Sequence, residues 1–160
     1  MSKTINKGFT DTVTATKSVS IPDLSWNTDF KTKSDEPDEV ILTNVTSPLD
    51  RPELIRFGYS EIKDVYKNTP IDSSVYAPTR RGIQILCQVN DIYSVTDSTD
   101  AAYRVDLPVQ AHVVLKVPAC DLITADMAQE LAERAVSGLF ATGSVTSTKL
   151  SAMLRGSMRP

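Results

Sequence analysis

Two long stretches of strict alternation, followed by an abrupt change of period, constrain this chain more than any other feature of its sequence. Between Arg80 and Asn90 the residues Ile83, Ile85, Cys87 and Val89 fall on one side, and Gln84, Leu86, Gln88 and Asn90 on the other. Between Tyr103 and Val117 the apolar set Val109, Ala111, Val113, Leu115 and Val117 alternates with Gln110, His112, Val114 and Lys116. A period of two is the spacing of a strand with one dry and one wet face. The polar loop Thr96–Ala101 between the two stretches predicts an antiparallel hairpin. At Pro118 the period changes, and over Leu122–Thr142 the residues Ile123, Met127, Leu131, Ala135 and Leu139 form a helical stripe. Thr124 or Asp121 is available as its N-cap, and Gly143 lies beyond its end. A second, shorter helix is expected over Ser147–Arg155, where Leu150, Met153 and Leu154 make one apolar edge. Nine residues are too few for a stable isolated helix, so this one requires packing.

Upstream the pattern is weaker. The run Thr10–Ser20 is rich in Thr, Val and Ser and suits a strand, and Leu24–Phe30 (LSWNTDF) is its expected hairpin partner. Lys31–Glu39 (KTKSDEPDE) reads as a solvent-facing loop. Val40–Val45 returns to strand character, ended by Pro48 and Pro52. Glu53–Tyr66 admits strand or helix, with the alternation of Ile55, Phe57 and Tyr59 favouring strand in its first half.

With 160 residues a chain buries roughly 68–70% of its unfolded surface, enough for one core. One domain over 1–160 is expected, with a hairpin and loops in 1–46, the main sheet in 53–117 and the helices in 122–156. The hydrophobic fraction of 41% and charged fraction of 23% are those of a folded domain. A net charge of −3 argues against a uniformly basic coat for nucleic acid and leaves room for a local basic face. Cys87 and Cys120 make neither a disulfide framework nor a zinc spacing. The first residues lack the apolar run of a signal peptide, and no stretch reaches the roughly 20 apolar residues of a membrane span.

Chemistry is sparse. The one histidine, His112, has no neighbouring carboxylate at an orienting distance in sequence, and no nucleophile elbow, phosphate loop or dinucleotide fingerprint occurs. Asp72, Asp91, Asp97, Asp100 and Asp106 do not reproduce the dense oxygen spacing of a calcium loop. No catalytic residue, metal ligand, cofactor or small-molecule substrate is therefore expected. What remains is the polar strand face. Gln84, Gln88 and Asn90 are expected to lie across from Gln110, His112 and Lys116 if the two strands pair, with Arg80 and Arg81 at the edge. Amides offer donors and acceptors together, and cations neutralise phosphate, which suits unstacked RNA bases. The same residues also make an ordinary solvated sheet face.

From Arg80 onward the chain resembles the coat proteins of single-stranded RNA bacteriophages, the levivirus-like coats. The resemblance is carried by RRGIQILCQVNDIYSV, the polar loop, AAYRVDLPVQAHVVLKVP, ITADMAQELAERAVSGLFATG and TSTKLSAMLRGSMRP. It implies an α+β protomer: an N-terminal β-hairpin, a five-stranded antiparallel sheet and two C-terminal helices packed over a dimer partner's sheet. Met127, Leu131, Ala135, Leu139, Leu150 and Leu154 are then the dimer-interface candidates. Thr96, Asp97, Ser98, Thr99 and Asp100 are the loop that meets neighbouring dimers at the shell's openings. The candidate RNA contacts are Arg80, Gln84, Gln88, Gln110, His112 and Lys116. The implied function is an icosahedral capsid subunit of the virion around single-stranded RNA, assembled in the bacterial cytoplasm, with T=3 geometry or another. A non-viral β-sheet RNA-binding or scaffolding module fits the same polar face. A small hydrolase fits poorly, since neither a nucleophile with its base nor a metal cluster is present.

Overall fold

The computed structural model describes residues 4–9, 18–75, 79–141, 143 and 145–158. The strand expected over Thr10–Ser20 falls mainly outside them, and so does Arg159. The elements are β1 (Phe30–Glu36), β2 (Glu39–Asn44), β3 (Leu54–Ile62), β4 (Gly82–Thr96), β5 (Arg104–Pro118), α1 (Ala125–Ser137) and α2 (Thr148–Met153). The strands form one five-stranded antiparallel meander in chain order. Two compact units result, one holding the sheet (Asp23–Cys120) and one holding both helices with the N-terminal segment. No helix among the described residues is long and apolar enough to cross a membrane.

The expected hairpin of β4 and β5 is present and long: fifteen residues pair with fifteen, from Gly82↔Pro118 to Thr96↔Arg104. Two corrections fall in the amino-terminal third. Lys31–Glu39 is not a loop. It supplies most of β1, a two-residue turn at Pro37 and Asp38, and the first residue of β2. Charge misled here because β1 is an edge strand, where lysines and carboxylates sit in water on a paired backbone and discourage further pairing. The sheet thus begins at Phe30, well ahead of residue 53. Leu24–Asp29 in turn is not a strand: the Asp29 amide donates to the Ser25 carbonyl at 2.9 Å, closing a turn. That turn places the Trp26 ring 5.1 Å from Phe30 and 5.8 Å from Phe57, centroid to centroid.

Register fixes the two faces. Leu42, Ile55, Val89 and Ala111 lie in one cross-strand row. Phe30, Val40, Phe57, Ile85, Cys87, Val113 and Leu115 share its side of the sheet. The centre of this apolar face is dry, with Ile55 1% and Phe30 5% exposed. Toward β5 it is bare: Ile85, Val113 and Leu107 are 43%, 41% and 46% exposed. Burial raises the pKa of the Cys87 thiol on this face.

The helical unit follows the sequence closely. Thr124 caps α1, its hydroxyl accepting from the Met127 amide at 3.3 Å, and Asp126 stands in the first turn where the helix dipole favours it. The helix is shorter than the stripe implied, since Gly138 ends it and Leu139 lies beyond. No residue of α1 or α2 is buried, and Leu131 is 50% and Leu154 88% exposed. The chain turns after α1 and α2 at Gly143 (φ 68°) and Gly156 (φ 88°), left-handed conformations natural to glycine. At the N-terminal segment Phe9 lies beneath the Arg134 guanidinium, 3.9 Å from ring centroid to Cζ, and Lys7 pairs with Glu130.

Candidate nucleic-acid interface

Behind the apolar face the register assembles a polar one. Gln84, Gln88 and Asn90 of β4 stand directly opposite Lys116, His112 and Gln110 of β5. Five of the six candidate RNA contacts therefore share one side of two adjacent strands, and His112, Gln110 and Lys116 are exposed. Arg80 is the exception. It precedes β4, outside the paired ladder, and its carbonyl accepts from the Val65 amide at 2.9 Å. Gln88 Nε2 donates to Asn90 Oδ1 at 3.1 Å and to Gln110 Oε1 at 3.2 Å, so the amides hold one another in a fixed array.

Arg56 joins this face from β3, in one row with Gln88 and His112, and its Nε donates to Glu39 Oε2 at 2.5 Å. Sequence reading passed over Arg56, although the alternation of Ile55, Phe57 and Tyr59 already sends the intervening residues to the opposite side. The ion pair with Glu39 offsets much of its charge. Lys116 has no ion-pair partner among the described residues.

At the far end of the same hairpin a second polar cluster holds the loop's base. The Arg104 guanidinium grips Asp106 with two bonds of 2.9 Å, and its Nη2 lies 2.6 Å from Asp50 of the β2–β3 connection. Ser94 donates to Asp106 at 2.5 Å. The hydrogen bond from Arg104 lowers the carboxyl pKa of both Asp50 and Asp106, with Ser94 adding to the effect at Asp106. A depressed carboxylate stabilises the fold above its unfolded value and loses that contribution as pH falls through the folded one. The carboxyls of Asp50 and Asp106 are expected to titrate below about 3.9 by carbon NMR, and both to rise toward it in Arg104→Ala. Unmoved midpoints in that variant would mean the cluster does not form in solution. Beyond the cluster, Asp97 accepts from the Thr99 amide at 2.8 Å and Asp100 from the Ala102 amide at 3.0 Å. The exposed β4–β5 loop is thus shaped by its own side chains.

Among the described residues no group of three His, Cys, Asp or Glu side chains converges on a point. Neither a family model nor a curated protein matches the sequence. Solved structures do match. The chain is similar over 99% of its length to the virus-like particle protein of bacteriophage AVE015, covering 98% of that chain with a TM-score of 0.88 and 29% identity. It is similar in fold to the virus-like particle protein of bacteriophage GQ-112, with a TM-score of 0.80 and 16% identity over 97% of this chain and 96% of that one. Fold and similarity together support a structural protein of the bacteriophage capsid class. Within that class the similarity supports the role of a capsid subunit of the virion.

Proposed function

We propose that the chain pairs with a second copy, that the pairs build a closed icosahedral shell around single-stranded RNA, and that the polar sheet face contacts exposed bases of an RNA hairpin. The observation carrying the RNA reading is the register that sets Gln84, Gln88, Gln110, His112 and Lys116 on one side of β4 and β5. Amides and an imidazole read base edges, and a lysine supplies the salt-dependent attraction to phosphate. The dimer reading is supported by two surfaces left open. β5 is a fifteen-residue edge strand whose outer backbone groups have no partner strand among the described residues, a ladder that proteins normally cover. The bare apolar residues of β4 and β5, and the exposed stripe Leu131, Ala135 and Leu139, are the kind of surface that a partner's helices and sheet bury.

The test combines Lys116→Glu with Gln88→Ala. Filter binding to a library of hairpin RNAs at two salt concentrations is expected to show at least tenfold weaker binding at low salt. The salt slope should be shallower by about 0.7 to 0.9, the share of one phosphate contact. Wild-type affinity and slope in this variant, with dimers intact, would remove the sheet face from the RNA site and favour basic termini such as Arg155 and Arg159. Negative-stain images of the purified protein separate a shell-former from a scaffolding module, because only the former yields uniform hollow particles.

A further inference from the structure

The β3–β4 connection folds back over one end of the polar face and leaves an open groove of about 600 Å³ beside Ser60, Gln84 and Lys116. Its wall is built rather than loose. Asp64 accepts from the Tyr66 amide at 3.0 Å, and Thr69 closes the following turn onto the Tyr66 carbonyl through both its amide (3.0 Å) and its hydroxyl (2.7 Å). Asn68 takes the left-handed conformation (φ 66°) that the turn needs and asparagine tolerates. The Val65 amide bonds Arg80 at the entrance to β4, and the Val65 side chain packs so tightly on Gly82 that a Cβ there would lie 2.1 Å from Val65 Cγ1 and 2.8 Å from the Val117 carbonyl. Only glycine admits the wall at this distance.

That construction brings three lysines to one groove, Lys63 and Lys67 from the connection and Lys116 from the sheet. All three are exposed, and none has an ion-pair partner among the described residues. The lining also holds two carboxylates: Asp64, which accepts from the Tyr66 amide and keeps its charge, and Glu61, on the apolar side of the β3 register. Tyr66 is half-buried in the wall. On a chain of net charge −3, three exposed lysines against two carboxylates, beside an aromatic ring, an amide and a hydroxyl, are the chemistry of a single-stranded nucleotide. The cations attract phosphate, the ring stacks a base, and Gln84 and Ser60 hydrogen-bond its edge.

We infer that this groove seats a single-stranded stretch of RNA adjoining the sheet-face site, with its phosphates at Lys63, Lys67 and Lys116 and one base against Tyr66. The inference rests on the sheet-face reading and extends it beyond the strands to a connection that reading does not use. The test measures binding of a labelled ten-nucleotide single-stranded RNA to the intact dimer across 50 to 200 mM salt. In Lys63→Glu with Lys67→Glu, binding at 50 mM should weaken at least tenfold and the salt slope should fall by about 1.4, two contacts at roughly 0.7 each. Lys63→Ala with Lys67→Ala should give the same change in slope, which excludes misfolding through reversed charge. Tyr66→Leu should weaken binding about tenfold with the slope retained, because stacking releases no counterions. Wild-type slope in both lysine pairs, while Lys116→Glu with Gln88→Ala still weakens binding, overturns the groove alone. Wild-type binding in every variant overturns the sheet-face reading with it.

Discussion

Leu131→Asp is expected to abolish particles and to leave no stable folded dimer, with a loss of several kcal/mol per protomer from burying an unpaired carboxylate. The size of the effect is what makes this variant informative. In the single chain Leu131 is 50% exposed and no residue of α1 is fully buried. An aspartate at an exposed helical position changes stability by only about 0.5 kcal/mol. Any larger loss must come from a second copy that covers the stripe. Circular dichroism, sedimentation and electron microscopy of the variant read this directly. A soluble monomer with wild-type helix and sheet content would sink the interlocked dimer.

The second large effect is expected inside the sheet. Ile55 is 1% exposed and sits between Leu42 and Val89 in the central row of the apolar face. Ile55→Ala removes three carbons from the driest point of the unit and should cost about 2–5 kcal/mol. Unlike Leu131→Asp, this loss requires no partner. It should appear as a lower denaturation midpoint with an unchanged slope against denaturant, while particles still form at low temperature. A stability loss below about 1 kcal/mol would show that the Trp26, Phe30 and Phe57 cluster beside Ile55 does not seal the face in solution.

These two positions also mark how far the sequence could be read. Period-two alternation and the change at Pro118 were sufficient for β4, β5 and α1, because in long elements the pattern repeats often enough to fix both type and face. The first three strands are shorter and one is an edge. Around Lys31–Glu39 the residues that suit an edge strand are the charged ones that also mark a loop, and only pairing with β2 distinguishes the two. Around Leu24–Asp29 the apolar residues do alternate, yet a local turn captures the backbone and Trp26 reaches the core from outside the sheet.

The site shows the same division. Alternation alone puts Gln84, Gln88, Gln110, His112 and Lys116 on polar faces, and register is needed to put those faces side by side. Arg56 was within reach of the alternation in β3. Lys63 and Lys67 were not. Their convergence on Lys116 depends on a turn at Asn68 and on contact between Val65 and Gly82, in a connection that no periodic signal covers. The KDVYKN run, with lysines on both sides of a tyrosine and turn residues between, is the composition that could have drawn attention to it.

If a second copy covers the outer edge of β5, which has no partner strand among the described residues, that edge sets a timetable for the newly made chain. Closing it is a second-order event, so its half-time shortens in proportion as copies accumulate, whereas misfolding within one chain runs at a fixed rate. Early in synthesis, when copies are few, each chain waits longest with its edge and bare apolar residues open to proteases and chaperones. Once production is heavy, mates arrive before damage does. For the proposed shell, an incomplete fold of this kind would act as a threshold, holding back growth until supply is sufficient to finish what is begun.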